Sequence, residues 1–180
     1  MILKTLIEKM QKHHNYVSFL RKRGCQIGED CVIFSSANFG SEPYLTTLGN
    51  HVRVNSGVNF VNHDGGVWVI RKYTGKDLNE AGKIDLFGKI KIGDNVHIGT
   101  NAIIMPGVVI GNNCIIGCGA IVTRSIPDNS VAVGVPARVI ETIDEYIVKH
   151  IKDFDYTKEL DRNEKKKYLL KKYSIEEYTK

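Results

Sequence analysis

The chain has 180 residues, a hydrophobic fraction of 42% and a formal net charge of +5, and this length is enough for one domain with a continuous core. It contains no apolar run long enough to span a membrane and no CxxC pair among its four cysteines, so neither an integral membrane protein nor a disulfide scaffold is expected. Its first residues are interrupted by charges, so we expect no signal peptide there. Much of the positive charge lies in the stretch 158–180, which has no nucleic-acid-binding motif and is interpreted as a solvated helix face, so we expect a soluble, cytoplasmic protein with no nucleic-acid partner.

The first predicted element is a helical segment over residues 1–24. Apolar residues recur at helical spacing in the first ten positions and are interrupted by charged ones. This pattern predicts an amphipathic helix, and Gly24 marks its end.

A six-residue repeat fills most of residues 25–140. A period of six fits neither an amphipathic helix nor an alternating strand, and it is typical of a parallel β-helix in which each hexad forms a short strand and a corner. Three hexads complete one triangular coil, so each inward aliphatic residue is predicted to stack on the one three hexads later. The predicted stacked pairs are Ile92 with Ile110, Ile98 with Ile116, and Ile104 with Val122.

The second inward position of each hexad is apolar and often small, which lets the chain turn the corner. Cys31 and Cys114 fall on such positions and are predicted to pack in the core. The other small inward positions of the regular run are Val96, Ala102, Val108, Ala120 and Ile126.

Two interruptions break the repeat. The shorter one runs from Phe39 to Tyr44, and the longer one covers residues 62–89 and contains His63 and the only tryptophan, Trp68. Long irregular loops in a compact repeat are often functional. The longer loop is therefore the first place to look for chemistry.

The last predicted element is a helical tail over residues 141–180. Its first apolar residues recur at helical spacing. We expect two or three helical turns to cap the open end of the prism, because a terminal coil exposes unpaired strand edges. The residues on the apolar face are Ile143, Tyr146, Ile147, His150 and Ile151.

Several segments resemble the hexapeptide-repeat acetyltransferase superfamily. The sequences IGDNVHIGT (92–100), MPGVVIG (105–111), AIVTR (120–124) and GVPAR (134–138) are similar to those of galactoside, maltose and xenobiotic O-acetyltransferases. The sequences FGSEPYL (39–45) and NHDGGVW (62–68) look closer to acetyltransferases of bacterial surface-polysaccharide clusters.

This resemblance implies an all-β domain over residues 25–140, a left-handed parallel β-helix, and a homotrimer with active sites at the subunit interfaces. It also implies an acetyl-CoA-dependent O-acetyltransferase that acts on a sugar hydroxyl in capsular, exopolysaccharide or O-antigen synthesis. Transfer would be direct, within a ternary complex, and no metal is expected.

His63 is the candidate general base. Histidine has a suitable unperturbed pKa, and the catalytic histidine of the family occupies the corresponding site. Glu42 and Asp64 are candidates for orienting the imidazole or binding an acceptor hydroxyl; alternatively, Asp64 caps the following turn and Glu42 is a surface charge. Asn62 and Trp68 are further candidates for either of these roles.

The resemblance also implies a coenzyme A groove. A hydroxyl residue that contacts the cofactor, with its N–H as an oxyanion donor, a small residue beside the pantetheine arm and basic residues near the phosphates are expected. Glu141 stands where sugar acetyltransferases often have a basic residue, so a third phosphate contact is doubtful. The candidate cofactor residues are Thr100, Cys118, Thr123, Arg124 and Arg138.

Other functions stay open. The same machinery would serve a xenobiotic O-acetyltransferase that modifies an antibiotic, or an amino-sugar N-acetyltransferase. More remote alternatives are a non-catalytic structural subunit and a metal enzyme similar to γ-class carbonic anhydrases, for which His51, His63 and His97 would be the available ligands.

Overall fold

The computed structural model describes residues 16–73 and 81–176. It divides into two compact units, Met1–Tyr146 and Ile147–Lys180. The division predicted from the sequence, 1–24, 25–140 and 141–180, stays a prediction.

The first unit is built from short strands that run parallel to their neighbours, except for the last pair, which is antiparallel. In chain order they are β1 (Gln26–Ile27), β2 (Val32–Ile33), β3 (Thr46–Leu48), β4 (Val52–Val54), β5 (Asn59–Phe60), β6 (Ile90–Ile92), β7 (Val96–Ile98), β8 (Ile103–Ile104), β9 (Val109–Ile110), β10 (Cys114–Ile116), β11 (Ile121–Val122), β12 (Ser130–Val133) and β13 (Arg138–Thr142).

Three sheets form the faces of the parallel β-helix. Their strand orders are β1-β3-β6-β9, β13-β12-β10-β7-β4-β2 and β11-β8-β5. The predicted stacking is confirmed, because the paired residues are those that the hexads place three repeats apart. The observed partners are Ile92 with Ile110, Ile98 with Ile116, and Ile104 with Val122.

The core is the inside of this prism. Its aliphatic columns are fully buried, and Phe39 stacks on Phe60 with ring centroids 4.3 Å apart. Cys114 is buried and Cys31 packs against the core, as predicted, and burial raises the pKa of both thiols. Burial also raises the pKa of Cys25 to about 12, so this thiol stays protonated.

One corner of the prism is held by a ladder of asparagines. Asn95, Asn113 and Asn129 have φ angles of 55°, 53° and 57°, a left-handed conformation that asparagine tolerates better than most residues. The Nδ2 group of Asn95 donates to Oδ1 of Asn113, and that of Asn113 donates to Oδ1 of Asn129, each at 2.9 Å. The ladder therefore links successive coils.

The two interruptions of the repeat lie where the sequence predicts them. Regular coils stack with an 18-residue offset, whereas residues across the shorter interruption are 21 apart and those across the longer one are 44 apart. The shorter interruption contains a 3₁₀ turn at Pro43–Leu45, and the longer one contains a helix, Val67–Ile70, and a 3₁₀ turn at Ala81–Lys83.

The all-β class describes the repeat but not the whole chain, because helices flank it. Helix α1 (Tyr16–Lys22) buries Tyr16 and Leu20, and the Tyr16 hydroxyl donates to the carbonyl of Ala37 at 2.6 Å. The rest of the predicted N-terminal helix, residues 1–15, lies outside the described residues.

Helices also follow the repeat. The helix Val67–Ile70 is α2, and the first helix after the repeat is α3 (Ile143–His150). The sequence predicts a change to helix at Glu141, but in the structure β13 continues to Thr142 and the helix begins after it. Helix α4 (Arg162–Lys172) starts with a capping box between Asp161 and Glu164, which satisfies orphan N–H groups. That α3 caps the prism stays a prediction. Among the described residues, no helix is long and apolar enough to cross a membrane.

Candidate active site

Three chain segments, two of which carry candidate site residues, meet at one edge of a sheet. The segments after β5, β8 and β11 contain His63, Met105 and Thr123 in turn. Because these three strands are parallel and adjacent, their carboxyl ends lie side by side. The fold therefore brings the loop of residues 62–89 to the same edge as Thr123.

The backbone at His63 is held by a short antiparallel ribbon at the base of this loop. The Asp64 N–H donates to the Leu86 carbonyl and the Gly88 N–H donates to the Asn62 carbonyl, both at 2.8 Å. His63 lies opposite Phe87, with ring centroids 6.0 Å apart. Hydrogen bonds on both sides of His63 fix where its side chain leaves the backbone.

Glu42 is the carboxylate that faces His63. Its Oε2 lies 3.6 Å from Nδ1 of His63, and the Glu42 side chain is 19% exposed against 50% for His63. The Ser41 hydroxyl donates to the same oxygen at 2.7 Å. At 3.6 Å the pair is a charge contact that exceeds hydrogen-bond length. A carboxylate at Nδ1 leaves Nε2 as the nitrogen for proton transfer.

Asp64 caps the turn that follows it, since its Oδ1 accepts the Gly66 N–H at 2.7 Å. The turn-capping alternative is thus observed. Asp64 also lines a groove of about 390 Å³ with Phe87, Met105 and Thr123, so two of the predicted site residues border one groove.

Asn62 and Trp68 have opposite environments. Asn62 is 2% exposed and its Nδ2 donates to the hydroxyl of Thr46 at 3.1 Å, whereas Trp68 is 76% exposed. Burial favours an orienting role for Asn62 over contact with an acceptor. Sequence reasoning missed Thr46, which reaches the site from β3, and Phe87, which lies opposite His63 within the same loop. The only sequence signal for Thr46 was a polar residue at an inward position of the repeat.

Thr100 and Cys118 stack on one another at a different corner, where the Gly119 N–H donates to the Thr100 carbonyl at 2.8 Å. They precede β8 and β11, so the width of a prism face separates them from the His63 edge. This width corresponds to about five residues of extended chain, or roughly 15 Å. The Thr100 N–H has no hydrogen-bond acceptor among residues 16–73 and 81–176.

The basic candidates are exposed. Arg124 follows Thr123 at the His63 edge, and Arg138 begins β13 and donates to the neighbouring Ala137 carbonyl at 2.9 Å. Among the described residues, no group of three or more histidine, cysteine or acidic side chains is arranged to hold a metal. His51 instead contacts Asp30 at 2.6 Å, and His97 lies in β7.

Comparison with known proteins identifies the family. The family model described as bacterial transferase hexapeptide (six repeats) matches residues 89–124. Protein CapG of Staphylococcus aureus is 47% identical over 178 residues, which is 98% of this chain and 99% of that protein. The chain belongs to the hexapeptide-repeat acetyltransferase family.

Other relatives of this hexapeptide-repeat acetyltransferase share part of its length. Galactoside O-acetyltransferase of Escherichia coli (strain K12) is 41% identical over 69 residues, or 38% of this chain and 34% of that protein. The crystal structure of the polySia-specific acetyltransferase NeuO superimposes with a TM-score of 0.52 at 27% identity, covering 64% of this chain and 50% of that one.

A more distant structure supports the fold alone. The acetyltransferase VCA0836 of Vibrio cholerae O1 biovar eltor, in complex with acetyl coenzyme A, has a TM-score of 0.58 at 18% identity. The match covers 75% of this chain and 82% of that one.

Proposed function

We propose that this protein is an acetyl-CoA-dependent O-acetyltransferase that modifies a sugar hydroxyl of a surface polysaccharide or its precursor in the cytoplasm. The observation that carries the proposal is the Glu42–His63 pair beside a groove, in a chain of the hexapeptide-repeat family. The polySia-specific acetyltransferase NeuO and galactoside O-acetyltransferase support a saccharide acceptor.

In this mechanism His63 is the general base. Its Nε2 removes the proton of the acceptor hydroxyl as the oxygen attacks the thioester carbonyl carbon. The tetrahedral oxyanion then collapses, the C–S bond breaks, and the proton on His63 passes to the thiolate of coenzyme A. The proton is returned to the leaving group, and no covalent acyl-enzyme is needed. A positioned general base typically raises the rate 10²- to 10⁴-fold.

Glu42 acts through His63. A carboxylate at Nδ1 favours the tautomer that has its free lone pair on Nε2, and it stabilises the imidazolium that forms during transfer. Because Glu42 is largely buried, its negative charge is screened less than that of a surface residue.

The proposed oxyanion donor is the free N–H of Thr100, with Cys118 beside the pantetheine arm. In one chain these residues lie a face width away from His63, so a single subunit does not complete the site. A second copy, in a homotrimer of left-handed β-helices, would supply the corner that contains Thr100 and Cys118. Thr123, Arg124 and Arg138 would also contact the cofactor, and cationic side chains suit its phosphates.

The proposal is tested by acetyl transfer with purified protein. Acetyl-CoA is supplied with nucleotide sugars, oligosaccharides and hydroxylated antibiotics, and products are identified by mass. We expect an acetylated saccharide with the wild-type protein and a loss of at least about 100-fold with His63→Ala. His97→Gln is the matched control and keeps activity. An antibiotic product would reassign the acceptor, and an unchanged rate with His63→Ala would remove His63 from the mechanism.

A further inference from the structure

We propose that Thr46 and Asn62 form a buried clamp that sets the position of His63 relative to Glu42. The proposal rests on the function assigned above to His63. Neither residue contacts the reacting atoms, so both are positioning residues.

The clamp is a hydrogen-bonded pair inside the first unit. Thr46 is 0% exposed and Asn62 is 2% exposed. The Nδ2 group of Asn62 donates to Oγ1 of Thr46 at 3.1 Å, and Oδ1 of Asn62 lies 3.4 Å from the same hydroxyl. A Cβ placed on Gly40 would lie 3.9 Å from Oδ1 of Asn62. The amide thus lies near both ends of the segment that carries Glu42.

Each half of the clamp is directly connected to one member of the catalytic pair. Thr46 follows the turn Pro43–Leu45, for which Glu42 is the N-cap, and Asn62 immediately precedes His63. The clamp joins the two interruptions of the repeat across 16 residues of sequence. It is the buried polar link between the segment with the carboxylate and the segment with the base.

Both halves are also fixed to the prism. Thr46 pairs with Ile90 in the sheet register, and the Asn62 carbonyl accepts the Gly88 N–H at 2.8 Å. Between these backbone anchors, the side-chain hydrogen bond links one interruption of the repeat to the other. We assign the 3.6 Å approach of Glu42 to His63 to this link.

Removing the Thr46 hydroxyl would leave a buried amide without its partner, which is costly in the protein interior. The amide is expected to turn away from the new methyl group. Because the ribbon holds the His63 backbone, the segment with Glu42 is then expected to shift relative to the imidazole. A displacement of about 1 Å at a reacting group can cost on the order of 10²-fold in rate.

The test uses three substitutions in the whole chain. Thr46→Val removes the hydroxyl and keeps the shape, Thr46→Ser keeps the hydroxyl, and Thr47→Val makes the same change one residue further on. Thr47 is only half-buried and belongs to no part of the site. We expect kcat to fall about 10- to 100-fold in Thr46→Val and to return to within a few-fold of wild type in Thr46→Ser, while Thr47→Val is unaffected. KM for acetyl-CoA should stay unchanged, since Thr46 is fully buried and is not one of the proposed cofactor residues.

A second readout needs no acceptor. The ring carbon–proton NMR signal of His63, assigned by its absence in His63→Ala, should move in Thr46→Val in the direction seen in Glu42→Gln, and should stay in place in Thr46→Ser and Thr47→Val. This signal reports the clamp even if no acceptor is found, so failure of the clamp and failure of the transferase function are distinguishable.

The proposed role of the clamp is contradicted if Thr46→Val leaves both kcat and the His63 NMR signal unchanged. It is equally wrong if Thr46→Ser is as damaged as Thr46→Val, because packing of the methyl group would then be the cause. Should Thr46→Val fail to fold, Thr46→Ala removes the same hydroxyl without adding a methyl group and is judged by the same two readouts.

Discussion

At the scale of single residues, the account depends on Glu42 because it is the carboxylate within 3.6 Å of the proposed base. We predict that Glu42→Gln, which keeps the shape and removes the charge, lowers kcat about 10- to 100-fold with little change in KM for acetyl-CoA. Steady-state kinetics check this. Glu29→Gln, at an exposed corner residue, is the control. Equal rates in the two variants would exclude Glu42 from orienting the base.

His97 gives a prediction about pH and stability. It is half-buried in β7 in register with Arg53, and burial together with the Arg53 charge lowers its pKa from the ordinary 6.5. The unfolded chain therefore binds a proton more readily than the folded one. The contribution of His97 to the free energy of unfolding is fully present above its pKa in the unfolded chain. This contribution is lost as the pH drops through 6.5 towards the lower pKa of the folded state.

We therefore predict that the melting temperature of the wild-type protein falls between about pH 7.5 and about pH 5.5, and that it falls less in His97→Gln. Arg53→Gln removes the positive charge that also lowers the pKa of His97, so the melting temperature should fall with pH by an intermediate amount. Thermal unfolding at several pH values is the measurement. Identical slopes in all three proteins would contradict the assignment to His97.

At the scale of elements, the ribbon that carries His63 depends on a close approach at Gly88. A Cβ on Gly88 would lie 2.5 Å from the Gly107 nitrogen and 2.7 Å from Cβ of Pro106. We predict that Gly88→Ala pushes the ribbon off the coil, lowers stability by about 1–3 kcal/mol and reduces transfer. Denaturant unfolding and steady-state kinetics check both effects.

The same loop provides the control for Gly88→Ala. A Cβ on Gly65 would meet nothing within 4 Å, so Gly65→Ala should leave both stability and transfer close to wild type. If the two alanine variants behaved alike, contact between the ribbon and the coil would not position His63.

The elements also show what the sequence could predict. The register of the coils follows from the hexad period alone, because a six-residue spacing repeated over three faces allows one stacking. The Glu42–His63 contact follows from no such period. It requires two interruptions of different length to end at the same edge, and their approach depends on buried side chains such as Thr46.

The end of the repeat shows a second difference. Apolar spacing after Glu141 predicts a helix, yet the chain stays extended to Thr142, because β13 pairs with β12. Antiparallel pairing with the preceding strand here overrides a local helical pattern. Helix starts are therefore less predictable from the sequence than the stacked core.

At the scale of the whole molecule, one chain holds the two halves of the proposed site a face width apart. His63 lies at the carboxyl edge of β5, β8 and β11, and the corner that contains Thr100 and Cys118 lies at the opposite edge. In the proposed site, His63 of one subunit works with this corner of another in a cyclic trimer.

Mixed trimers test this shared site between subunits. His63→Ala and Cys118→Trp, which blocks the pantetheine path, are each expected to be inactive alone. Co-expressed with different tags and purified through both, they form trimers in which each interface pairs one subunit's His63 with its neighbour's corner. By symmetry one site in three, or about a third of wild-type activity, should return in the mixed trimers. Mixed trimers as inactive as the parent variants would place both residues in one chain's site and contradict the account.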